Sequence, residues 1–421
     1  MQSKIWRIAA LLVLSAMIVS ACGGAATEAP PAETAAPPVT EAPVVTEAPV
    51  VTEAPPAEFV FGIILVGPKN DHGWSQAHYE AGLYVEENLP GSRMIVFESL
   101  NPADKPEATL EGVVGDMVAD GARLIFTTSD EFEEDTLGAA QNHPDVTFIS
   151  ISGDDVLTGQ AAANEGNIMG RMELMKSIAG CAAALATETG RMAYLGPLIN
   201  FETRRLVSSV YLGARYCYEH YRNLDPNSLQ FVVTWIGFWF NIPGVTLDPT
   251  EVTTGFIDGG ADVVISGIDT TEGIVVTGQR AAQGDRIWAI PYDYVGACDE
   301  APEVCLGVPF FNWGPAYLAT VQAVQDGSWQ QAWDWNGPDW ANMTDRDTSN
   351  VGWVNGPALA AEWGTPLDEF IAGLASGSIN VWTGPINLQD GTVYLADGAV
   401  ATDDQIWYLP QLLEGMEGPS Q

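Results

Sequence analysis

The strongest constraint on the fold is a double series of short apolar runs, each followed by an amphipathic stretch. Phe59–Val66 (FVFGIILV) is continuous, branched and only as long as a strand, which is the pattern of a strand buried on both faces. A helical stretch follows at Ser75–Leu89, then a strand at Arg93–Glu98 and a helix at Lys105–Asp120 that Gly121 stops. Strands at Arg123–Thr128 and Val146–Ser150 complete the first series. The second series places helices at Met169–Thr187, Glu202–Arg222, Thr250–Gly259 and Gly273–Gln283. Its strands are Arg191–Leu195, Leu229–Trp235, Asp262–Ser266 and Arg286–Ile290. Parallel strands need crossover helices, so this rhythm predicts an α/β chain with two similar lobes. Beyond Phe310 only one helix, Pro315–Asp326, is legible among many Trp, Gly and Pro.

The chain ahead of the first strand cannot join this fold. Lys4 and Arg7 precede a short apolar run, Ile8–Ser20, and then Val19-Ser20-Ala21-Cys22-Gly23-Gly24. That is the layout of a signal peptide over 1–22, too short for a comfortable membrane span. The Val-Ser-Ala-Cys ending resembles a bacterial lipobox, which implies acylation of Cys22; plain signal cleavage with Cys22 as a spare thiol is the alternative. Residues 23–58 are Pro, Thr, Glu, Ala and Val, with TEAP recurring at Thr27, Thr40, Thr46 and Thr52. Pro blocks regular pairing and nothing here offsets ordering entropy, so a disordered tether is expected. At roughly 3.1 Å per residue it reaches about 100 Å.

Composition excludes several partners. Acidic residues number 55 against 16 basic, a formal charge of −39, which disfavours nucleic acid and anionic headgroups. Solubility or a saline habitat accounts for the acidity without an acidic site. No later run is long enough to span a bilayer. In an exported chain the four remaining cysteines suggest two disulfides, Cys298 with Cys305 across a short loop and Cys181 with Cys217 between two helices. Their spacings match no zinc site, and no metal or cofactor is expected. His72, His78, His143 and His220 are scattered and read as surface or helix residues.

Open parallel sheets bind ligands beyond the carboxyl ends of their strands. Those ends carry Asp71 and Trp74, Ser129 to Phe132, Asn200 and Phe201, Trp235 to Phe240, Asp269, and Asp293 with Tyr294. Aromatic faces and carboxylates together suit a flat ligand with hydrogen-bonding edges or hydroxyls. Singly, each aromatic could as well plug a lobe core.

Five ordered segments resemble the basic-membrane-protein family of lipoprotein receptors. They are Val66-Gly67-Pro68 with Asp71, Gly73-Trp74, Ala77-His78 and Gly82; Thr127-Thr128-Ser129 with Phe132; Tyr292-Asp293; Asn312-Trp313-Gly314-Pro315 with Tyr317; and Thr383-Gly384-Pro385-Ile386 with Gln389-Asp390-Gly391. The resemblance implies a type I periplasmic-binding-protein fold, two Rossmann-like lobes with hinge crossovers that close on ligand. It divides the chain into 59–163 plus 311–340 and 164–310 plus 341–413. It implies a monomeric, lipid-anchored capture subunit of an ABC importer, bound to the membrane through Cys22 only. The ligand would be a purine nucleoside or base. Asp71, Trp74, Phe132 and Trp313 would serve from the first lobe, and Trp239, Asp269 and Asp293 from the second.

Two departures bear on the ligand. The nucleoside branch has a lysine near the returning strand, where this chain reads Phe310-Phe311-Asn312-Trp313. The Trp235–Gly244 segment is also longer and more aromatic than expected. A free base is therefore as compatible as a nucleoside. Competing readings are a sugar receptor of the same fold, a ligand-sensing lipoprotein, and a secreted hydrolase using Asp269 and Asp293 as acid and base. No G-x-S-x-G elbow or H-E-x-x-H helix supports an enzyme.

Overall fold

The computed structural model describes residues 58–421. The signal segment, Cys22 and the TEAP tether lie outside the described residues. The first series forms β1 (Phe59–Leu65), α1 (Trp74–Asn88), β2 (Ser92–Phe97), α2 (Leu110–Ala119), β3 (Ala122–Thr128), α3 (Glu133–Asn142), β4 (Thr147–Ile151), α4 (Asp155–Thr158) and β5 (Glu165–Gly170). The second forms α5 (Met172–Ala186), β6 (Arg191–Gly196), α6 (Phe201–His220), β7 (Gln230–Trp235), α7 (Pro249–Asp258), β8 (Val263–Ser266), α8 (Glu272–Ala282) and β9 (Trp288–Ile290). There follow β10 (Gly307–Phe311), α9 (Gly314–Asp326), β11 (Trp333–Asn336), β12 (Val351–Asn355), α10 (Ala361–Ser376), β13 (Ile386–Asn387), β14 (Val393–Leu395), α11 (Asp403–Trp407) and β15 (Met416–Glu417).

A six-stranded parallel sheet runs β11-β5-β4-β3-β1-β2, and a five-stranded parallel sheet runs β15-β7-β6-β8-β9. Every residue of β1 is buried, as its unbroken apolar run requires. Helix α3 escapes the periodicity because EEDTLGAAQN is largely polar and buries only Thr136, Ala139 and Ala140. Strand β11 joins β5 across about 160 residues of chain, with Trp333 opposite Asn167, a pairing no local pattern encodes. Strands β10 and β12 pair antiparallel as a ribbon of their own.

Helices α5 and α6 pack unusually closely. A Cβ at Gly180 would lie 1.9 Å from the Val210 carbonyl oxygen, and one at Gly213 would lie 2.0 Å from that of Ser177. Only glycine permits this approach. The Cys181–Cys217 disulfide joins the same two helices, and Cys298–Cys305 closes the short loop before β10. Among the described residues no helix is long and apolar enough to cross a membrane.

Candidate functional site

The carboxyl ends of both parallel sheets converge on one cavity. The first sheet's side supplies Trp74 at the start of α1, Ser129 and Asp130 after β3, and Ser152 after β4. The second supplies Tyr194 on β6, Glu202 and Leu206 on α6, Trp239 after β7, Asp269 after β8 and Tyr292 after β9. Its free volume is about 20 Å³, close to what one water needs, so a larger ligand requires lining side chains to turn aside.

Three of the sequence-selected residues meet there. Trp74 is buried and donates its indole N–H to the Thr128 carbonyl at 2.7 Å, which fixes the ring. Trp239 is buried, and among the described residues its Nε1 has no partner. Asp269 lines the wall between them; burial raises its pKa well above the usual carboxylate range, and Asp293 adds to the rise.

The other four lie outside the lining. Asp71 spends its carboxylate on the amino end of α1, accepting from the N–H groups of Gly73, Ser75 and Gln76 at 2.9 Å each. Phe132 is buried beside Val66, Leu100 and Phe238 in a neighbouring depression. Trp313 has both faces covered, by Phe311 at 4.7 Å and His78 at 4.5 Å. Its edge contact with Trp74, 5.5 Å between centroids, makes it a backing for that ring. Asp293 is fully buried in the left-handed region at φ 70°, and among the described residues neither carboxyl oxygen has a hydrogen-bond partner.

Burial raises the Asp293 pKa, and the nearby Lys176 ammonium opposes the rise. Lys176 is itself wholly buried; it donates to the Ser266 carbonyl at 2.9 Å and lies 3.2 Å from the Tyr292 ring centroid. Burial pulls its pKa down to about 7 against the attraction of Asp293. Sequence reasoning passed over Lys176, although a lone lysine inside the apolar run Met172–Ala186 is an anomaly that calls for a partner.

Asp130 and Glu202 carry a weaker sequence signal. Asp130 lies in the strand-end tetrapeptide Ser129–Phe132, where the aromatic is the more evident ligand contact. Glu202 lies in the first turn of α6, where acidic residues ordinarily serve the helix end. Here the turn points at the cavity, and Arg205 one turn later approaches Glu202 at 4.0 Å. Arg205 is buried over the Trp407 ring at 3.9 Å. Among the described residues its guanidinium nitrogens make no hydrogen bond. Among those residues, too, no His, Cys, Asp and Glu cluster could hold a metal ion.

The family model for PnrA-like ABC transporter substrate-binding proteins, Bmp, matches residues 59–241, from β1 through the aromatic loop after β7. Over that stretch the chain is similar to substrate-binding proteins of the Bmp type. A purine-binding protein of Brucella abortus is 28% identical over 276 residues, 66% of this chain and 71% of that protein. A Haloferax volcanii protein named for glucose binding in an ABC transporter is 25% identical over 274 residues, 65% of this chain and 63% of its own. Among solved structures, an ABC transporter solute-binding protein of Conexibacter woesei superposes with a TM-score of 0.55 at 19% identity, covering 76% of this chain and 98% of its own. One from Aeropyrum pernix gives 0.61 at 14%, covering 76% and 92%. At those identities the structural likeness speaks for the fold, which is that of periplasmic-type binding proteins.

Proposed function

We propose that this chain is a Bmp-type receptor that captures a purine base or nucleoside between its two lobes and delivers it to an ABC permease, acting as a monomer by binding and not by catalysis. The observation that carries the reading is one cavity bordered by two buried indoles, Trp74 and Trp239, with the carboxyl groups of Asp130, Glu202 and Asp269 around it. Indoles supply faces for a flat heterocycle, and carboxyl groups supply hydrogen-bonding partners for its edge. The purine-binding Brucella relative supports the same ligand class. We take the lobes as 59–170 plus 311–340 and 171–310 plus 341–413; the first boundary moves from 163 to 170 because β5 pairs with β4 and β11 in the first sheet. Phe132, Asp293 and Trp313 then support the site from behind, and Asp71 holds the helix that carries Trp74. Acylated Cys22 would anchor the receptor outside the cytoplasm, with residues 23–58 as its leash.

A sugar is the second reading. The Haloferax relative is named for glucose, and carboxylates also bind hydroxyls. Against it, among the described residues the cavity wall holds no Arg or Lys for the bidentate contacts sugar sites use. Thermal denaturation with adenine, adenosine and glucose separates the two. A purine-dependent rise in Tm, lost in Trp74→Ala and Trp239→Ala with about 1–3 kcal/mol of binding energy each, is expected. A rise with glucose alone would refute the purine reading.

A further inference from the structure

Asp130 differs from the other acids of the cavity in how its two oxygens are used. Oδ2 accepts from Asn200 Nδ2 at 2.7 Å, and Asn200 is held as the N-cap of α6 by a reciprocal bond pair with Thr203. Oδ1 is buried at the cavity and, among the described residues, has no partner. The groups facing it are acidic or neutral. Glu131 comes from its own turn, Glu202 and the Asn200 amide from α6, and Asp269 from the loop after β8. The nearby cations are committed elsewhere, Lys176 to the Ser266 carbonyl and Arg205 to Glu202 and the Trp407 face. An ionised Asp130 would thus be a buried charge with the Asn200 amide and the Glu131 backbone N–H for company and three carboxyls around it.

We propose that Asp130 is a specificity-determining residue whose Oδ1 presents an O–H donor to a hydrogen-bond acceptor on the ligand. The proton belongs on Oδ1 because Oδ2 already accepts from Asn200. The site therefore takes a flat heterocycle that turns a ring nitrogen or exocyclic carbonyl towards Asp130. This rests on the purine reading above, since purines carry such acceptors on their edges. Burial, with Glu202 and Glu131 adding to it, lifts the carboxyl pKa to about 7, so the donor is present in mildly acidic and neutral solution. Above that range the group becomes a bare acceptor facing an acceptor, and the contact turns repulsive.

The test is calorimetric titration of the full chain with adenine and adenosine, neither of which titrates over the range, from about pH 6 to about pH 8.5. Wild type should weaken by roughly tenfold per pH unit above about pH 7. Asp130→Asn keeps an N–H donor that cannot ionise and should bind with no pH slope, less than about tenfold below wild type at the acid end. Asp130→Ala should be weaker than Asp130→Asn throughout. A flat wild-type profile, or a slope retained in Asp130→Asn and therefore owed to another group such as Lys176, Glu202 or Asp269, would overturn the proposal. A second measurement needs no ligand: the infrared difference between wild type and Asp130→Asn should show a protonated-carboxyl band that vanishes through about pH 7. Its absence also overturns the proposal. Its presence in a protein that binds neither purine would support the donor while refuting the purine reading.

Discussion

Gly73 is the position where a single methyl group tests whether the two sheets close on the cavity. It precedes α1 at the end of the first sheet, and an ideal Cβ there falls 1.7 Å from the backbone oxygen of Asp269 and 2.7 Å from its carbonyl carbon. Asp269 follows β8 of the other sheet. Ordinary contact begins near 3.4 Å, so one loop must retreat by about 1.7 Å. Both partners are backbone, so no rotamer change relieves the clash. Overpacking of this kind costs about 1–3 kcal/mol. The cost falls on the approach of the two sheets and not on the folding of either. It should therefore appear as weaker ligand binding, about 5–150-fold, by calorimetry on Gly73→Ala. Denaturant unfolding of ligand-free protein should keep the wild-type m-value, which reports an intact fold. Wild-type affinity in Gly73→Ala would refute the reasoning, because it would mean that ligand binding does not need the Gly73–Asp269 contact.

The disulfides should differ in worth because they close loops of different size. Their sequence separations are 36 and 7, so removing Cys181–Cys217 should cost about 4 kcal/mol and Cys298–Cys305 about 2.5 kcal/mol; chemical denaturation of the paired serine variants checks the order, and a larger loss from the short loop would contradict it. Stability should fall as pH rises towards neutrality. The buried carboxyls of Asp130 and Glu173 are raised to about 7, so they are protonated in the fold and ionised in the unfolded chain between the two pKa values; their stabilisation is complete at low pH and lost as pH passes about 7. Lys176, lowered to about 7, works in reverse and recovers stability above that point. Tm should therefore drop between about pH 5 and about pH 7, less so in Glu173→Gln, and a variant slope equal to wild type would remove Glu173 from the account. Cys22→Ser should move the protein from the membrane to the soluble fraction; retention on the membrane would place the anchor elsewhere.

Much of the fold is legible because its code is local. An unbroken apolar run such as Phe59–Leu65 reports burial on both faces, and alternation with helices leaves a parallel sheet as the stable arrangement. The cysteine pairs were legible too, one from its short spacing and one from its place on two adjacent helices. What failed locally was any element whose partner lies far along the chain. β11 finds β5 and β12 finds β10 through contacts that neither stretch announces.

The site divides in the same way. Strand-end position by itself selected Trp74, Trp239 and Asp269, because topology sends all strand ends of a parallel sheet to one rim. Position cannot say which way a rim side chain turns. Trp313 and Phe132 occupy that rim yet face other aromatics, while Asp130 and Glu202 face the cavity. Lys176 comes from mid-helix, and only the packing of α5 beneath β8 and β9 sets its ammonium against the Tyr292 ring. The amino-acid order determined the two sheets, the crosslinks and the rim; burial and mutual charge, which exist only once distant segments meet, decided which of its residues form the site.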